Sequence, residues 1–313
     1  MLEHDPQGAR AVLMVRPAGF GFNPQTAASN VFQHEPAATE PIDPQAGALA
    51  EFAAVAGALD QAGIEVIVAA DSVIPLKPDA VFPNNWVSFH GDGSVVLYPL
   101  LAVNRRLERR EAVIEQVVRD GRFHVTRNVD LSYREGDGKY LEGTGSLVLD
   151  RRTRVAYASL SPRTDLDVLA EFAQRMDYEA VAFDAADEAG QPIYHTNVLM
   201  AVGTRFAVLC GAAMVNPRQR AAVFGKLAAS GREIVDISLP QMRAFAGNCL
   251  ELSPPRGTMI VMSQTAWGAL DTAQRRVLAG HGEVLRVEIP TIERYGGGSV
   301  RCMLAEVHLP KRG

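Results

Sequence analysis

The chain has 313 residues, and its 31 basic and 36 acidic side chains give a formal net charge of −5, which excludes a general nucleic-acid binder because phosphate neutralisation needs an excess of Lys and Arg. With 47% hydrophobic and 21% charged residues it can bury a sizeable core, so disorder and a fibrous repeat are excluded as well. The length fits two domains or one large one. The chain opens on MLEHDPQGARAVLMV, where acidic residues stand in place of a secretory signal's positive charge and the apolar run, Ala11 to Arg16, is one strand long. The segment Gly19 to Gln45, rich in Asn, Gln, Pro and Ala, lacks periodicity and reads as an active-site lid or as a surface excursion. A helix follows from Ala46 to Gln61. Even FAAVAGALDQAGIEVIVAA is broken by Asp60, Gln61 and Glu65, so no stretch has the roughly 20 uninterrupted apolar residues that span a bilayer. The expectation is a cytoplasmic protein without a membrane or nucleic-acid partner.

Farther along, apolar periodicity of the i, i+3, i+4, i+7 kind predicts helices over Arg106 to Arg119, Leu166 to Arg175, Pro217 to Ala229 and Thr272 to Ala279. Thr164 or Asp165, Asn216 with Pro217, and Asp271 stand at their starts as N-caps. Gly63, Gly121, Gly231 and Gly280 fall where a left-handed residue closes a helix. Between the helices lie paired strand-like runs: Trp86 to His90 with Val95 to Leu100, Ser146 to Leu149 with Arg154 to Ala158, Asn197 to Val202 with Arg205 to Cys210, and Cys249 to Leu252 with Thr258 to Met262. Cys302 to Leu309 closes the series. A strand, strand, helix, strand unit therefore recurs. Polar residues just before the strands, Asn85, Glu142, His195, Asn248 and Cys302, are spaced 57, 53, 53 and 54 residues apart. Such regularity predicts a closed α/β array of repeats, one domain over residues 1–313, whose equivalent strand starts face one centre.

Three of these five positions carry the residue types of a thiol nucleophile, Cys302, a proton shuttle, His195, and an orienting carboxylate, Glu142. A cysteine attacks as thiolate and needs a neighbouring base or cation, which a histidine supplies. The competing readings are a small buried hydrophobe for Cys302, a hairpin hydrogen bond for His195 and an ordinary exposed carboxylate for Glu142. The glycines Gly296 to Gly298 before Cys302 permit close backbone approach, or make a bland turn. Cys210 and Cys249 sit in apolar strand context and read as core; an odd number of distant cysteines suits free thiols in a reducing compartment. No histidine pairs with Cys or carboxylates at metal-ligand spacing, and GGGSVRC lacks the Lys and helix of a phosphate loop, so no metal or cofactor is expected.

The pieces FPNNW (82–86), LEGTGSLVLD (141–150), HTNVLM (195–200), AGNCLEL (246–252) and GGGSVRCMLAE (296–306), in this order and period, resemble the guanidine-modifying superfamily of amidinotransferases and arginine deiminases, most nearly its citrulline-utilisation hydrolase branch. The resemblance covers almost the whole chain. It implies the pentein fold, a five-bladed ββαβ propeller, with Cys302 as nucleophile, His195 as general acid/base and Glu142 as the motif glutamate. It also implies attack on the central carbon of a guanidinium or ureido group, then hydrolysis of the thio-intermediate, with Phe82, Asp79, Asn84, Asn85, Asn197 and Asn248 around a small amino-acid substrate. Deiminases hold the guanidinium with carboxylates where this chain has Asn85 and, in many, Asn197. Two amides there favour a neutral ureido end group and hence citrulline, hydrolysed to ornithine, CO2 and ammonia, although Asp79 restores a charge nearby. Arg163 is the candidate for the substrate's α-carboxylate, with a solvated arginine as the competing reading. An arginine deiminase or dihydrolase, an amidinotransferase, and a non-catalytic binding protein of the same fold are the alternatives, and a homo-oligomer is compatible with all of them.

Overall fold

Apolar runs of three to six residues cannot bury themselves, and in this chain they pair in one repeated way. The structure is a computed structural model and describes residues 6–36 and 43–312. β1 (Ala11–Arg16) lies parallel to β2 (Glu65–Ala70) across α1 (Pro44–Gln61). β3 (Val87–Phe89) turns back antiparallel onto β4 (Ser94–Leu97), which runs parallel to β5 (Arg127–Asp130) after α2 (Glu111–Asp120). The same antiparallel-then-parallel pattern joins β6 (Val148–Asp150), β7 (Val155–Leu160) and β8 (Glu179–Asp184) across α3 (Leu166–Met176), and β9 (Met200–Val202), β10 (Phe206–Leu209) and β11 (Glu233–Asp236) across α4 (Pro217–Ala229). β12 (Leu250–Leu252), β13 (Met259–Ser263) and β14 (Glu283–Val287) repeat it across α5 (Thr272–His281). After α6 (Pro290–Gly296), β15 (Ala305–Val307) pairs antiparallel with β1, so the fifth unit is assembled from both ends of the chain.

The chain therefore has a mixed α/β fold with five three-stranded units, but the units do not make five separate sheets. Val307 of β15 pairs with Phe89 of β3 and merges two units into a six-stranded sheet, leaving three sheets of three strands. The polar markers also differ from expectation. A single helical turn, not the strand itself, follows or contains each of four of them: 83–85 with Asn85, 143–146 after Glu142, 196–199 after His195 and 300–303 with Cys302. These turns aim the marker side chains across the strand starts. Near the centre Gln7 donates to the carbonyls of Leu149 and Val202, both at 2.9 Å, and accepts from Arg151 N–H, so the segment before β1 ties the second unit to the third.

Caps form where the sequence places them, at Asp165, Asn216 and Asp271, the last as a capping box with Gln274. Gly63 and Gly231 take positive φ as expected, whereas Gly121 stays right-handed with Arg122 at φ 52°, and Gly280 remains inside α5. The helix expected from Arg106 begins only at Glu111, because 103–106 form a separate turn that sends Arg105 and Glu108 inward as a buried ion pair. No helix among the described residues is long and apolar enough to cross a membrane.

The core between the first and second units centres on Phe172, whose ring meets those of Tyr98, Tyr178 and His90. His90 is fully buried, its Nε2 2.7 Å from Ser88 Oγ, which also meets Tyr98 OH. Burial, reinforced by Arg151, His308 and Arg154 and opposed by Glu306, holds this imidazole well below its usual range and keeps it neutral. The unfolded chain binds a proton below about pH 6.5 that folded His90 refuses, so stability rises with pH in that window and falls on acidification, by up to about 1.4 kcal/mol per pH unit. His90→Gln removes the proton site while keeping a partner for Ser88. Urea denaturation at pH 7, 6 and 5 should show a smaller acid loss in the variant; equal losses would place the sensitivity in other groups.

Candidate active site

The nucleophile segment is shaped by its glycines. α6 ends at Gly296, Gly297 takes φ 62°, and a Cβ on Gly296 or Gly298 would sit 2.8 or 3.0 Å from the Phe82 ring. Only glycine allows Phe82 to close against the backbone leading to Cys302. The Cys302 sulfur then lies 3.3 Å from Asn248 Nδ2 and 3.5 Å from Asn197 Nδ2. Asn248 is locked, since its Oδ1 accepts from Arg301 N–H and its Nδ2 also donates to the Asn197 carbonyl. Both asparagines, read from sequence as substrate contacts, thus serve the sulfur. Burial pushes the Cys210 and Cys249 thiols up to about 11 and about 12, which keeps them protonated.

Glu142 and His195, 53 residues apart in sequence, meet at 2.7 Å between Oε2 and Nε2. The glycines of EGTG make this approach. Gly143, at φ 46°, lies against the Asn84 carbonyl, and a Cβ on Gly145 would come within 2.7 Å of His195 Nδ1 and nearer still to Asn85 Nδ2. The turn after His195 is pinned by Thr196, whose hydroxyl donates to Ser146 O and accepts from Ser159 N–H. Burial pushes the His195 imidazole down to about 4 despite Glu142, while Arg163, His195 and Arg105 overcome the burial penalty on Glu142 and hold its carboxyl well below the usual range. Near neutral pH the pair is therefore a carboxylate accepting from a neutral imidazole, with Nδ1 left as the ring's acceptor.

Cys302 and His195 face a small cavity with Phe82, Asp79, Asn85 and Arg163 in its wall. Arg105 and Tyr194 belong to the same wall and were missed in the sequence. Tyr194 lies tilted against the His195 ring at 4.6 Å, donates to Gly297 O and carries Arg163 over its own ring face. Arg105 is bound bidentately by Glu108, with both bonds at 3.0 Å, and donates to Asn85 Oδ1 at 2.8 Å. The Asn85 Nδ2 is buried without a partner in the protein. Asn84 does not line the cavity; its amide is buried without a hydrogen bond, and its carbonyl meets Thr144.

The segment read as lid or surface excursion covers this cavity over its described part; residues 37–42 lie outside the described residues. Asn23 donates to Asp79 at 2.7 Å, Thr26 O and Ser29 Oγ accept from Arg163, and Asn30 and Gln33 reach the carbonyls of Gly296 and Tyr295. The free volume beneath is about 10 Å³, about that of one water, so a substrate enters only when this roof shifts. Arg163 is thus a buried wall residue, not a solvated one.

The two amide donors stabilise the negative charge that develops on the Cys302 sulfur as it attacks an electrophile. Asn248→Ala should slow alkylation of Cys302 by iodoacetamide at neutral pH about tenfold, read by peptide mass spectrometry, while Cys210 and Cys249 remain unlabelled in folded wild-type protein. An unchanged Cys302 rate would show that the amides hold geometry only.

The fold resembles that of several solved structures. ArgZ, an arginine dihydrolase from the ornithine-ammonia cycle in cyanobacteria, superposes with a TM-score of 0.73 at 18% identity over 96% of this chain and 41% of that one, while its substrate-bound N-terminal domain is covered over 97% of its length with a TM-score of 0.72. The chain therefore spans less than half of full-length ArgZ. A dimethylarginine dimethylaminohydrolase carrying an adduct with S-methyl-L-thiocitrulline gives a TM-score of 0.64 at 15% identity over 95% of this chain and 98% of that one. No curated protein sequence matches. The family model described as N,N dimethylarginine dimethylhydrolase, eukaryotic, matches residues 16–309, nearly the whole chain, and the chain accordingly belongs to that family, within the pentein superfamily of guanidino-modifying hydrolases and transferases.

Proposed function

We propose that this chain is a cysteine-dependent hydrolase that cleaves the ureido group of citrulline to ornithine, CO2 and ammonia through a covalent intermediate on Cys302. The observation that carries the reading is the orientation of Asn85. Its Oδ1 is committed to Arg105, a group with donors only, so the donor left without a protein partner is Nδ2, which lies beside Gly145 and His195 in the cavity wall. A ureido oxygen accepts from that donor, and a guanidinium, which only donates, does not. In the step sequence the Cys302 thiol passes its proton to His195 and attacks the ureido carbon. The C–N bond to the terminal nitrogen breaks, and ammonia leaves with a proton from His195. Water, deprotonated by His195, hydrolyses the resulting thiocarbamate, and the released carbamate loses CO2 to give ornithine. Arg163 supplies the positive charge for the substrate's α-carboxylate. The reading takes the five units as blades of one pentein propeller in a single domain, supported by the β15–β1 closure and by Gln7 across two units, and it places the free thiols in the cytoplasm.

A second reading, arginine taken through citrulline to ornithine, is favoured by Asp79, a buried carboxylate in the cavity wall. Product analysis by mass spectrometry with arginine, citrulline, agmatine, dimethylarginine and succinylarginine separates the readings. Ornithine and CO2 from citrulline is the expected outcome, and citrulline accumulating as the end product would overturn it. Cys302→Ala should lose turnover by several orders of magnitude with its fold intact. Asn85→Asp should move the kcat/KM ratio toward arginine about tenfold, as a charge-assisted bond of about 1.5–3 kcal/mol replaces a neutral one. A ratio that does not move would put selectivity elsewhere, with Asp79 the first place to look.

A further inference from the structure

We infer that Glu108 is a positioning residue that sets substrate preference: by gripping Arg105 it fixes the direction in which Asn85 presents its amide, and so favours an end group that accepts a hydrogen bond. The inference rests on the ureido reading above and extends it to a residue that touches no substrate.

The geometry is a relay of three buried side chains. Glu108 takes Nε and Nη2 of Arg105 on its two oxygens, each at 3.0 Å, which fixes the plane and rotation of the guanidinium. The remaining nitrogen, Nη1, then points at Asn85 and donates to Oδ1 at 2.8 Å, while Nη2 also reaches the Phe82 carbonyl at 3.3 Å. Asn85 in turn has one orientation that satisfies Arg105, the one with Nδ2 directed away from it. Were Arg105 free to rotate, the amide would be free to turn over and accept from a guanidinium. The segment VNRRLERRE breaks its helical pattern to deliver this pair, placing Arg105 and Glu108 three residues apart on a turn that precedes α2.

The charged groups facing Glu108 are Arg105, Asp79 and Glu142. Burial, supported by the two carboxylates and opposed by Arg105, pushes the Glu108 carboxyl up to about 7, while Glu108 and Asp79 hold Arg105 charged against its own burial penalty. A raised carboxyl is ionised above that value and neutral below it, so the grip on Arg105 loosens as pH falls through neutrality. The end groups of citrulline and arginine do not titrate between pH 6 and 8, and their α-amino groups are common to both.

The test compares kcat/KM for citrulline and arginine in wild type and Glu108→Gln from pH 6 to 8. The wild-type citrulline-to-arginine ratio should fall as the pH is lowered, and the variant should show a ratio at pH 8 at least tenfold lower than wild type and flat with pH. A merely structural Glu108 would slow both substrates by one factor and leave the ratio unchanged, which would overturn the inference. If Glu108→Gln does not fold, judged by circular dichroism, Glu108→Asp keeps the charge with a shorter reach, and its ratio should fall between wild type and the value expected for Gln; a wild-type ratio and profile there would overturn it equally. A wild type that prefers arginine at every pH defeats the ureido reading, while movement of the ratio on substitution still decides the role of Glu108.

Discussion

A carboxylate sealed from solvent has to be neutralised and hydrogen-bonded by the protein, or it does not stay ionised. Glu142 is such a group, and the site is arranged around it. Its Oε1 accepts from Leu101 N–H at 3.0 Å, and its Oε2 faces His195 at 2.7 Å, Arg163 at 3.4 Å and Arg105 at 3.9 Å. These partners come from the first, second and third units, so one carboxylate ties three repeats together. Removing one partner from such a buried cluster leaves charge uncompensated, typically at about 3–5 kcal/mol. The same requirement fixes the tautomer: with Glu142 ionised, the proton of neutral His195 sits on Nε2, and Nδ1 keeps the ring's lone pair.

The repeat makes this meeting legible before any coordinates. Units of nearly equal length place Asn85, Glu142, His195, Asn248 and Cys302 at equivalent points, and equivalent points of a repeat converge when its strand starts lie side by side. The structure adds the helical turn between marker and strand, which sequence periodicity has no means to register because four residues are too few for a 3.6-residue pattern. β5 and β11 also escaped, since RNVD and EIVD each set one buried residue among charged or exposed neighbours and carry no continuous apolar run.

What stayed hidden in the site was hidden for related reasons. Arg105 and Glu108 lie in VNRRLERRE, whose charges read as a solvated helix face; only the break at 107–110 turns them inward, and that break depends on the pairing itself. Asn197 and Asn248 were recognised as polar markers, but the direction of an amide is a property of its partners, and those partners are a backbone N–H of residue 301 and a sulfur. The Asn23 to Gln33 roof offers short polar residues that reach Asp79, Arg163 and the carbonyls near the nucleophile, contacts between segments more than fifty residues apart.

The charges in and behind the cavity wall nearly cancel. Asp79, Glu108 and Glu142 stand against Arg105 and Arg163, and Glu108 titrates near neutrality, so the site as a whole carries little net field with which to choose between a cation and a neutral group. On the proposed ureido reading, selection comes from hydrogen-bond direction instead. Direction discriminates only if the amide that supplies it cannot turn over, because a rotating asparagine donates to one substrate and accepts from another equally well. That explains why so much of the surrounding structure is rigid: Gly143 and Gly145 let Asn84, Asn85 and His195 close on the second unit's turn, Phe82 is packed on Gly296 and Gly298, and Arg105 is held at both ends. In a site balanced in this way, a side chain that contacts no substrate governs preference as firmly as one that does, since it decides which face of the contacting amide is presented.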